Sequence, residues 1–460
     1  MTRPLMLTSH NVLLASPRQP TVLGDGTYYL SDSDLMLQFP VETAFLVEGE
    51  LDPQRLVKAL EETLAYFPIF CGQLTEHKHR WGILLVNRPI ELEIVETHDL
   101  SLLPEDAVLQ DTWLYSPTLD MSAIMACKDA PLLRMRLTRF HSDPPMTVLG
   151  ASSAHLAGDG AFMVQFWRLL SQIYQGSPPL DPYPVYSRAI VDEIHLQTED
   201  KAKFYDMFPQ LSTRNPKPPP TTSRTTLFFS LAQLYRLQAA LSQSPEAATH
   251  KLSLQDCVTA IVSVACSKAN LDNQPINRIV NVLNLRGGLL PVEEPLNALS
   301  WVNATTSDPY DVQKTASSVR QAFIKAREPA FQSACLLAVR HLYRKVAIEG
   351  ERVDFTPPPG NLFLNSSWKF QYTSAHFGFG EDKTHFLHTV FKAPRYAKMF
   401  RRNPPMPLDR NGRRTKKHRT ESIEFTFYLL PSDRDDFLTC LQNQWMALGM
   451  QEPVEIMNNT

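Results

Sequence analysis

Apolar positions recur along this chain with two periods, and the period switches several times. Asp52-Pro53 supplies an N-cap and a first-turn proline for a helix whose Leu56, Leu60 and Leu64 fall on one stripe. Phe67-Pro68 and Gly72 end it. Leu133, Met135 and Leu137 then alternate with Arg134, Arg136 and Thr138, the period of a half-buried strand. His141-Ser142-Asp143-Pro144-Pro145 turns the chain, and residues 146–153 return as a second strand. Beyond Gly160 the helical period resumes through Phe162, Phe166, Leu169, Leu170 and Ile173, and Gly176 stops it.

The second half repeats this texture. Ser230 and Gln233 make a capping box before Leu234, Leu237 and Leu241. Ser253 caps a helix with Val258, Ile261, Val262 and Ala265 on its buried side. Residues 279–285 predict a strand ending at Arg286. Ile423, Phe425, Phe427 and Leu429 predict another, and Ser432 opens a last helix with Phe437, Leu441, Trp445 and Leu448 in phase. Between the halves, prolines at 178, 179, 182, 184, 209, 216 and 218–220 mark a long crossover. The expected organisation is therefore α/β (α+β), with an N-terminal domain over 1–185, a crossover over 186–224 and a C-terminal domain over 225–460.

Length supports that division, because 460 residues exceed what one ordinary core encloses. Forty-five basic against 48 acidic residues give a net charge of −3, so bulk attraction to nucleic acid is not expected. Six scattered cysteines without CxxC spacing suit a reduced, cytoplasmic protein and predict no metal site. No apolar run reaches the ~18–20 residues of a membrane span, and residues 1–20 make a poor signal peptide. Ten Lys and Arg residues between Arg395 and Arg419, beside Pro404, Pro405, Pro407 and Gly412, read as a solvated loop, with attraction of phosphates a secondary effect.

The chemistry-bearing stretch is Ser153-Ala154-His155-Leu156-Ala157-Gly158-Asp159-Gly160, where a strand hands over to a helix. An isolated histidine there is most often a core residue satisfied by a carbonyl. It is also a side chain that titrates near neutral pH and can take a proton from an attacking hydroxyl or amine. Asp159 stands four residues on, but the flanking glycines suit a turn better than a shared helix face. No phosphate-binding glycine loop is present.

Several further segments, in order, resemble the BAHD family of acyl-CoA-dependent acyltransferases. Leu30-Ser31-Asp32-Ser33-Asp34 matches the early Leu-Ser-x-x-Asp stretch, and Phe67 to Leu74 is similar to the Tyr-Pro-Leu-Ala-Gly-Arg-Leu segment. His155 to Gly160 matches HxxxDG, Asn284-Leu285-Arg286 the Asn-x-Arg strand end, and Ser366-Ser367-Trp368 the Thr/Ser-Ser-Trp strand. Phe377-Gly378-Phe379-Gly380 resembles the Asp-Phe-Gly-Trp-Gly loop, with His376 in place of the aspartate and Phe379 in place of the tryptophan. Those departures point toward the diverged fungal members and put loop packing in question rather than the chemistry at His155.

The resemblance implies a chloramphenicol-acetyltransferase-like fold: two similarly built domains, each a mixed sheet flanked by helices, with the active site between them. A segment near 365–395 is a candidate to pack with the N-terminal half. It also implies transfer from acyl-CoA, a co-substrate and not a permanent cofactor, to a small hydroxylated or amine acceptor, by a monomer. His155 would be the general base, Ser366 and Trp368 the oxyanion donors by strand alternation, and Gly378, Phe379 and Gly380 a cofactor-side loop. Asp159 would pair with Arg286 in a shaping role, and Gly160 would let the helix start close to substrate. Two rivals remain: a condensation-type domain using a carrier-bound thioester, with Ala154 where those domains have a second histidine, and a silent homologue serving as a binding protein.

Overall fold

The computed structural model describes residues 9–18, 26–78, 80–109, 115–179, 184–186, 221–243, 250–333, 355–406, 408, 412–413 and 421–457. The first half runs β1 (Ser9–Ala15), β2 (Thr27–Tyr29), α1 (Asp32–Leu35), β3 (Pro40–Glu48), α2 (Pro53–Tyr66), β4 (Gly72–His77), β5 (Arg80–Leu85), β6 (Ile90–Thr97), α3 (Met121–Met125), β7 (Leu133–Phe140), β8 (Met146–Ala154) and α4 (Gly160–Tyr174). The second runs β9 (Ser223–Ser230), α5 (Leu231–Leu241), α6 (Leu254–Lys268), β10 (Arg278–Asn284), β11 (Leu299–Thr305), α7 (Val312–Lys325), β12 (Asn361–Ser366), β13 (Thr384–His388), β14 (Tyr396–Arg401), β15 (Ser422–Leu429), α8 (Arg434–Ala447) and β16 (Glu455–Met457).

Two mixed sheets result, one of six strands in the order β1-β6-β7-β8-β3-β13, one of seven in the order β11-β10-β12-β14-β15-β9-β16. The expected two-domain α/β architecture is what the chain adopts. One face of the first sheet is covered by α2 and α4, burying Leu56, Leu60, Leu64, Phe162, Phe166 and Trp167 with Phe45 and Leu149. The second sheet carries α5 to α8 on one face, around Val258, Ile261, Phe425, Phe427 and Trp445. The helix starts follow the local chemistry: Asp52 Oδ1 accepts from the amides of Gln54 and Arg55, and Ser230 and Ser253 form reciprocal capping boxes.

One strand crosses the division. β13 belongs to the second half of the sequence yet pairs antiparallel with β3, from Thr384 opposite Val47 to His388 opposite Thr43. The seam between the halves is a separate apolar cluster in which Met36, Leu37 and Val108 meet Val280, Trp301, Phe363, Tyr396 and Tyr428.

The basic stretch is not one solvated loop. Residues 396–401 form β14 inside the second sheet, Arg395 is 5% exposed, and Lys398 is half-buried. Alternation decides this, since Ala397 and Met399 fill the helix-covered core while Tyr396, Lys398 and Phe400 face the first domain. Most of the expected crossover, 187–220, and residues 414–420 lie outside the described residues.

Candidate active site

β8 delivers the histidine. The strand pairs with β3 as far as Ala154 opposite Pro40, and the His155 amide then donates to the Phe39 carbonyl at 3.0 Å. A single 3-10 turn, His155–Ala157, separates strand from helix. Gly158 is the demanding glycine here, because a Cβ on it would stand 2.3 Å from the Phe162 ring. Gly160 is not: its Cβ would sit 3.6 Å from the Tyr372 hydroxyl, an ordinary contact. That contact, with the Phe370 ring at 3.8 Å, places the segment after Trp368 against the start of α4.

The imidazole is half-buried, edge-on to Phe39 with ring centroids 5.1 Å apart. Its Nδ1 is buried and meets no hydrogen-bond partner. No carboxylate among the described residues ion-pairs with it. Burial pushes its pKa below the ordinary 6.5, opposed by polar interactions with its own backbone, the Asp159 charge and Asn297, while Lys398 adds to the depression. A neutral imidazole is the form that a general base requires.

Asp159 is fully committed elsewhere. Oδ1 caps α4 by accepting from the Phe162 amide at 3.0 Å, and Oδ2 accepts from Arg286 at 2.8 Å and from the Ala298 amide at 2.9 Å. Both side chains of the ion pair are nearly buried, 6% and 5% exposed. Arg286 also donates to the carbonyls of Glu294 at 2.7 Å and Leu296 at 2.8 Å. The sequence motifs had brought Asp159 and Arg286 together, and they meet across 127 residues of chain.

Asn297 completes the arrangement and carried no signal in the sequence. Its side-chain amide donates to the His155 carbonyl at 2.9 Å and to Asp34 Oδ1 at 3.1 Å. Asp34 is buried and its other oxygen accepts from the amide and hydroxyl of Ser31, so the early Leu-Ser-x-x-Asp stretch is tied to the backbone of His155. Leu296 takes a left-handed φ of +56°, a conformation that costs a residue with a side chain about 1 kcal/mol or more. Its carbonyl is held by Arg286 and by the Asp159 amide, which accounts for its persistence.

The strand argument for Ser366 and Trp368 needs correction. β12 ends at Ser366, and Trp368 lies in the turn that follows, so period-two alternation does not set its direction. The Ser366 hydroxyl and the Trp368 indole nitrogen are nevertheless both buried without a hydrogen-bond partner.

The Phe377-Gly378-Phe379-Gly380 loop docks on the first domain: the Phe377 amide donates to the Ser171 hydroxyl at 2.8 Å, and the Phe379 ring occupies the space where a Cβ on Gly49 would stand. His376 Nδ1 accepts from the Gly378 amide at 3.1 Å, the turn-closing role a carboxylate oxygen could fill, so the departure at this position leaves the turn intact. Gly378 and Gly380 have φ near +92° and +96°, which explains both glycines.

The buried thiols of Cys71, Cys257 and Cys266 do not compete. Burial pushes the thiols of Cys71, Cys257 and Cys266 up to about 12, far from a reactive thiolate. Among the described residues no cluster of His, Cys, Asp and Glu is placed to hold a metal ion, and no helix is long and apolar enough to cross a membrane.

Two sheet-and-helix domains with an HxxxDG turn at their seam define a chloramphenicol-acetyltransferase-like fold. The chain matches the Transferase family over residues 5–400 and belongs to it, the BAHD acyltransferases. It is 32% identical over 148 residues to taxadien-5-alpha-ol O-acetyltransferase of Taxus chinensis, a match covering 30% of this chain and 32% of that enzyme's length. The fold is similar to that of vinorine synthase, with a TM-score of 0.64 at 15% identity over 96% of this chain and 98% of the other. It is equally similar to F. graminearum TRI101 complexed with coenzyme A and T-2 mycotoxin, with a TM-score of 0.65 at 15% identity over 94% and 99%.

Proposed function

We propose that this protein transfers an acyl group from acyl-CoA to a hydroxyl, or an amine, of a small specialised metabolite, with His155 as general base. The observation that carries the assignment is the division of labour at the HxxxD turn. Both oxygens of Asp159 are spent on the α4 cap, Arg286 and the Ala298 amide, whereas no carboxylate among the described residues ion-pairs with the His155 imidazole. Asp159 and Arg286 then act on architecture, and His155 on chemistry.

In the reaction the acceptor hydroxyl loses its proton to His155 as its oxygen attacks the thioester carbonyl. The oxyanion of the tetrahedral intermediate is stabilised by hydrogen bonds from Ser366 and Trp368, whose donors have no partner among the described residues. Collapse breaks the carbon–sulfur bond, and the proton held by His155 passes to the departing coenzyme A thiolate. General-base assistance contributes on the order of 10²–10⁴-fold, and holding both substrates together supplies much of the rest. Acyl-CoA is consumed as a substrate, and no permanent cofactor takes part. The reading places a monomer in a reducing, cytoplasmic setting, in keeping with the free cysteines Cys71, Cys127, Cys257, Cys266 and Cys440.

The test is thiol release from acetyl-, malonyl- and longer acyl-CoAs in the presence of hydroxylated acceptors, with His155→Ala alongside. Acceptor-dependent release by the wild type, lost at least 100-fold in a folded His155→Ala variant, is the expected result. Full activity in that variant removes the base assignment, and release from carrier-bound thioesters alone favours the condensation-type chemistry.

A further inference from the structure

With Asp159 spent on architecture, the plane of the His155 ring needs another support, because a general base works only with its nitrogen turned to the proton it removes. In a Ser-His-Asp arrangement a carboxylate gives that support. Here the neighbour is aromatic. β3 and β8 pair as far as Pro40 opposite Ala154, and one step beyond them the His155 amide donates to the Phe39 carbonyl at 3.0 Å. Phe39 and His155 are thus cross-strand partners, and side chains directly opposed in an antiparallel pair leave on the same face. Their rings meet at 75°, with centroids 5.1 Å apart.

The Phe39 ring is held in turn. Phe355, from the second half and just ahead of β12, meets it at 79° with centroids 5.7 Å apart, and Phe355 itself packs against the apolar cluster at the seam. Three rings therefore run from the base across the division between the halves. Steeply tilted contacts of this kind are a preferred geometry of aromatic pairs, and each biases an orientation by about two- to tenfold beyond the area it buries. Phe39 is nevertheless 37% exposed, the level of a surface side chain and not of a core one. Its removal leaves little cavity, so an effect on rate can be read apart from an effect on the fold.

We propose that Phe39 is a positioning residue for His155: its ring, braced from the other half by Phe355, holds the imidazole in the orientation from which it takes the acceptor's proton. Phe39 acts only through the base in this role and touches neither the proton nor the thioester. The support is specific to a flat side chain, since a branched aliphatic group offers no ring face or edge for the imidazole to settle against. Because Phe355 belongs to the second half, the orientation of His155 depends on docking, as the Asn297 bond to its carbonyl already does. The proposal rests on the acyl-transfer reading above, with His155 as the base, and adds the group that orients it.

The experiment compares wild type with Phe39→Leu, Phe39→Tyr, Phe355→Leu and the Phe39→Leu/Phe355→Leu double variant, using the acyl-CoA and hydroxylated acceptor that wild type turns over fastest in the screen above. Phe39→Leu should lower kcat about tenfold and leave the KM of both substrates within about twofold. Its melting temperature should stay within about 2 °C of wild type. Phe39→Tyr, which keeps the ring, should return kcat to within about twofold. Phe355→Leu should give a smaller loss of the same kind, and the double variant should be no slower than Phe39→Leu, since the brace acts through Phe39. An unimpaired Phe39→Leu overturns the proposal, as does a Phe39→Tyr as slow as Phe39→Leu. A change confined to KM would make Phe39 a substrate-binding group, and a melting temperature that falls with kcat would make it a packing group; either result also overturns it. Losses that add in the double variant remove Phe355 as the brace. If His155→Ala is inactive and the Phe39 variants are indifferent, only this inference falls. If His155→Ala stays active, or no acceptor elicits thiol release, the earlier reading falls first and takes this one with it.

Discussion

Asp159→Asn separates the architectural and chemical readings of the HxxxD aspartate more cleanly than a deletion. Asparagine is as good an N-cap as aspartate, so the bond to the Phe162 amide survives and α4 keeps its start. The change falls on the other oxygen, which becomes an amide nitrogen facing two donors, Arg286 and the Ala298 amide. Two hydrogen bonds to the carboxylate, both charge-assisted, are lost, and Arg286 is left without its counter-charge in a nearly buried position. Removing one partner of such a pair costs about 3–5 kcal/mol. Arg286 keeps the carbonyls of Glu294 and Leu296, which favours the lower end, about 3 kcal/mol. The loss loosens residues 296–298, and with them the Asn297 bond to the His155 carbonyl, so a moderate fall in kcat accompanies the instability. The assay is urea unfolding followed by tryptophan fluorescence, paired with thiol release at a temperature where the variant remains folded. Adding Arg286→Met should recover part of the loss in a double-mutant cycle, with a coupling of about 1 kcal/mol or more. A variant with an unchanged urea midpoint and activity down a thousandfold would put Asp159 in the chemistry and refute the argument.

His155 has its pKa held below 6.5 by burial, so the neutral base persists into mildly acidic solution and kcat/KM should fall only below pH 6.5; an acid limb centred at pH 7 or above contradicts that environment. Trp368→Phe removes an unpartnered buried donor, so kcat should drop by about 10²-fold while stability stays within about 1 kcal/mol of wild type. A matching loss in both would make the indole a packing group only. Glu424, on β15 at the seam, is raised from 4.5 to about 7 by burial, with Asp106 adding and Thr426, Arg224 and Arg402 opposing. A raised acid pKa means that the folded state keeps the proton after the unfolded chain has lost it. The Glu424 contribution is thus complete below pH 4.5 and lost as pH rises to about 7. Glu424→Gln should therefore gain on wild type across that window, by about 3 kcal/mol in total, and equal pH slopes in urea melts of the two proteins would count against it.

What the sequence disclosed was whatever local order writes plainly. The stripes of α2 and α4, the capping boxes of α5 and α6 and the alternation of β7 and β15 follow from neighbours within a few residues. His155, Asp159 and Arg286 were reachable because ordered motifs named them. Asn297 was not, since it sits in a Pro- and Asn-bearing stretch that reads as a turn, and its partners Asp34 and His155 lie 263 and 142 residues away. Lys398 was hidden by its company. Its strand pattern, Tyr396-Ala397-Lys398-Met399-Phe400, was present, but the nine other cations between Arg395 and Arg419 drew the whole stretch into one solvated loop. The packing of the segment near 365–395 with the N-terminal half was expected only through the family resemblance, and the pairing of β13 with β3 had no local signal, because a strand's pairing partner is not encoded by its own periodicity.

The consequence is that the HxxxD turn is not the property of either half. The first half supplies His155 and its strand, but Asn297, Arg286 and the Ala298 amide, all from the second half, hold that turn in place. Docking of the halves is in turn secured by charged groups: the buried Arg224–Asp106 ion pair, and Lys398 of β14, whose ammonium donates to the Thr389 carbonyl beside β13 at 2.7 Å. Seam interactions and the positioning of His155 are therefore linked free energies, since anything that loosens docking also releases the carbonyl of His155. Perturbations at the seam should lower the rate before they unfold either domain, and tight binding of both substrates should stabilise the docked form in proportion to their affinity for it. A fold made of two similar domains gains from this a site that is assembled only when both are in place.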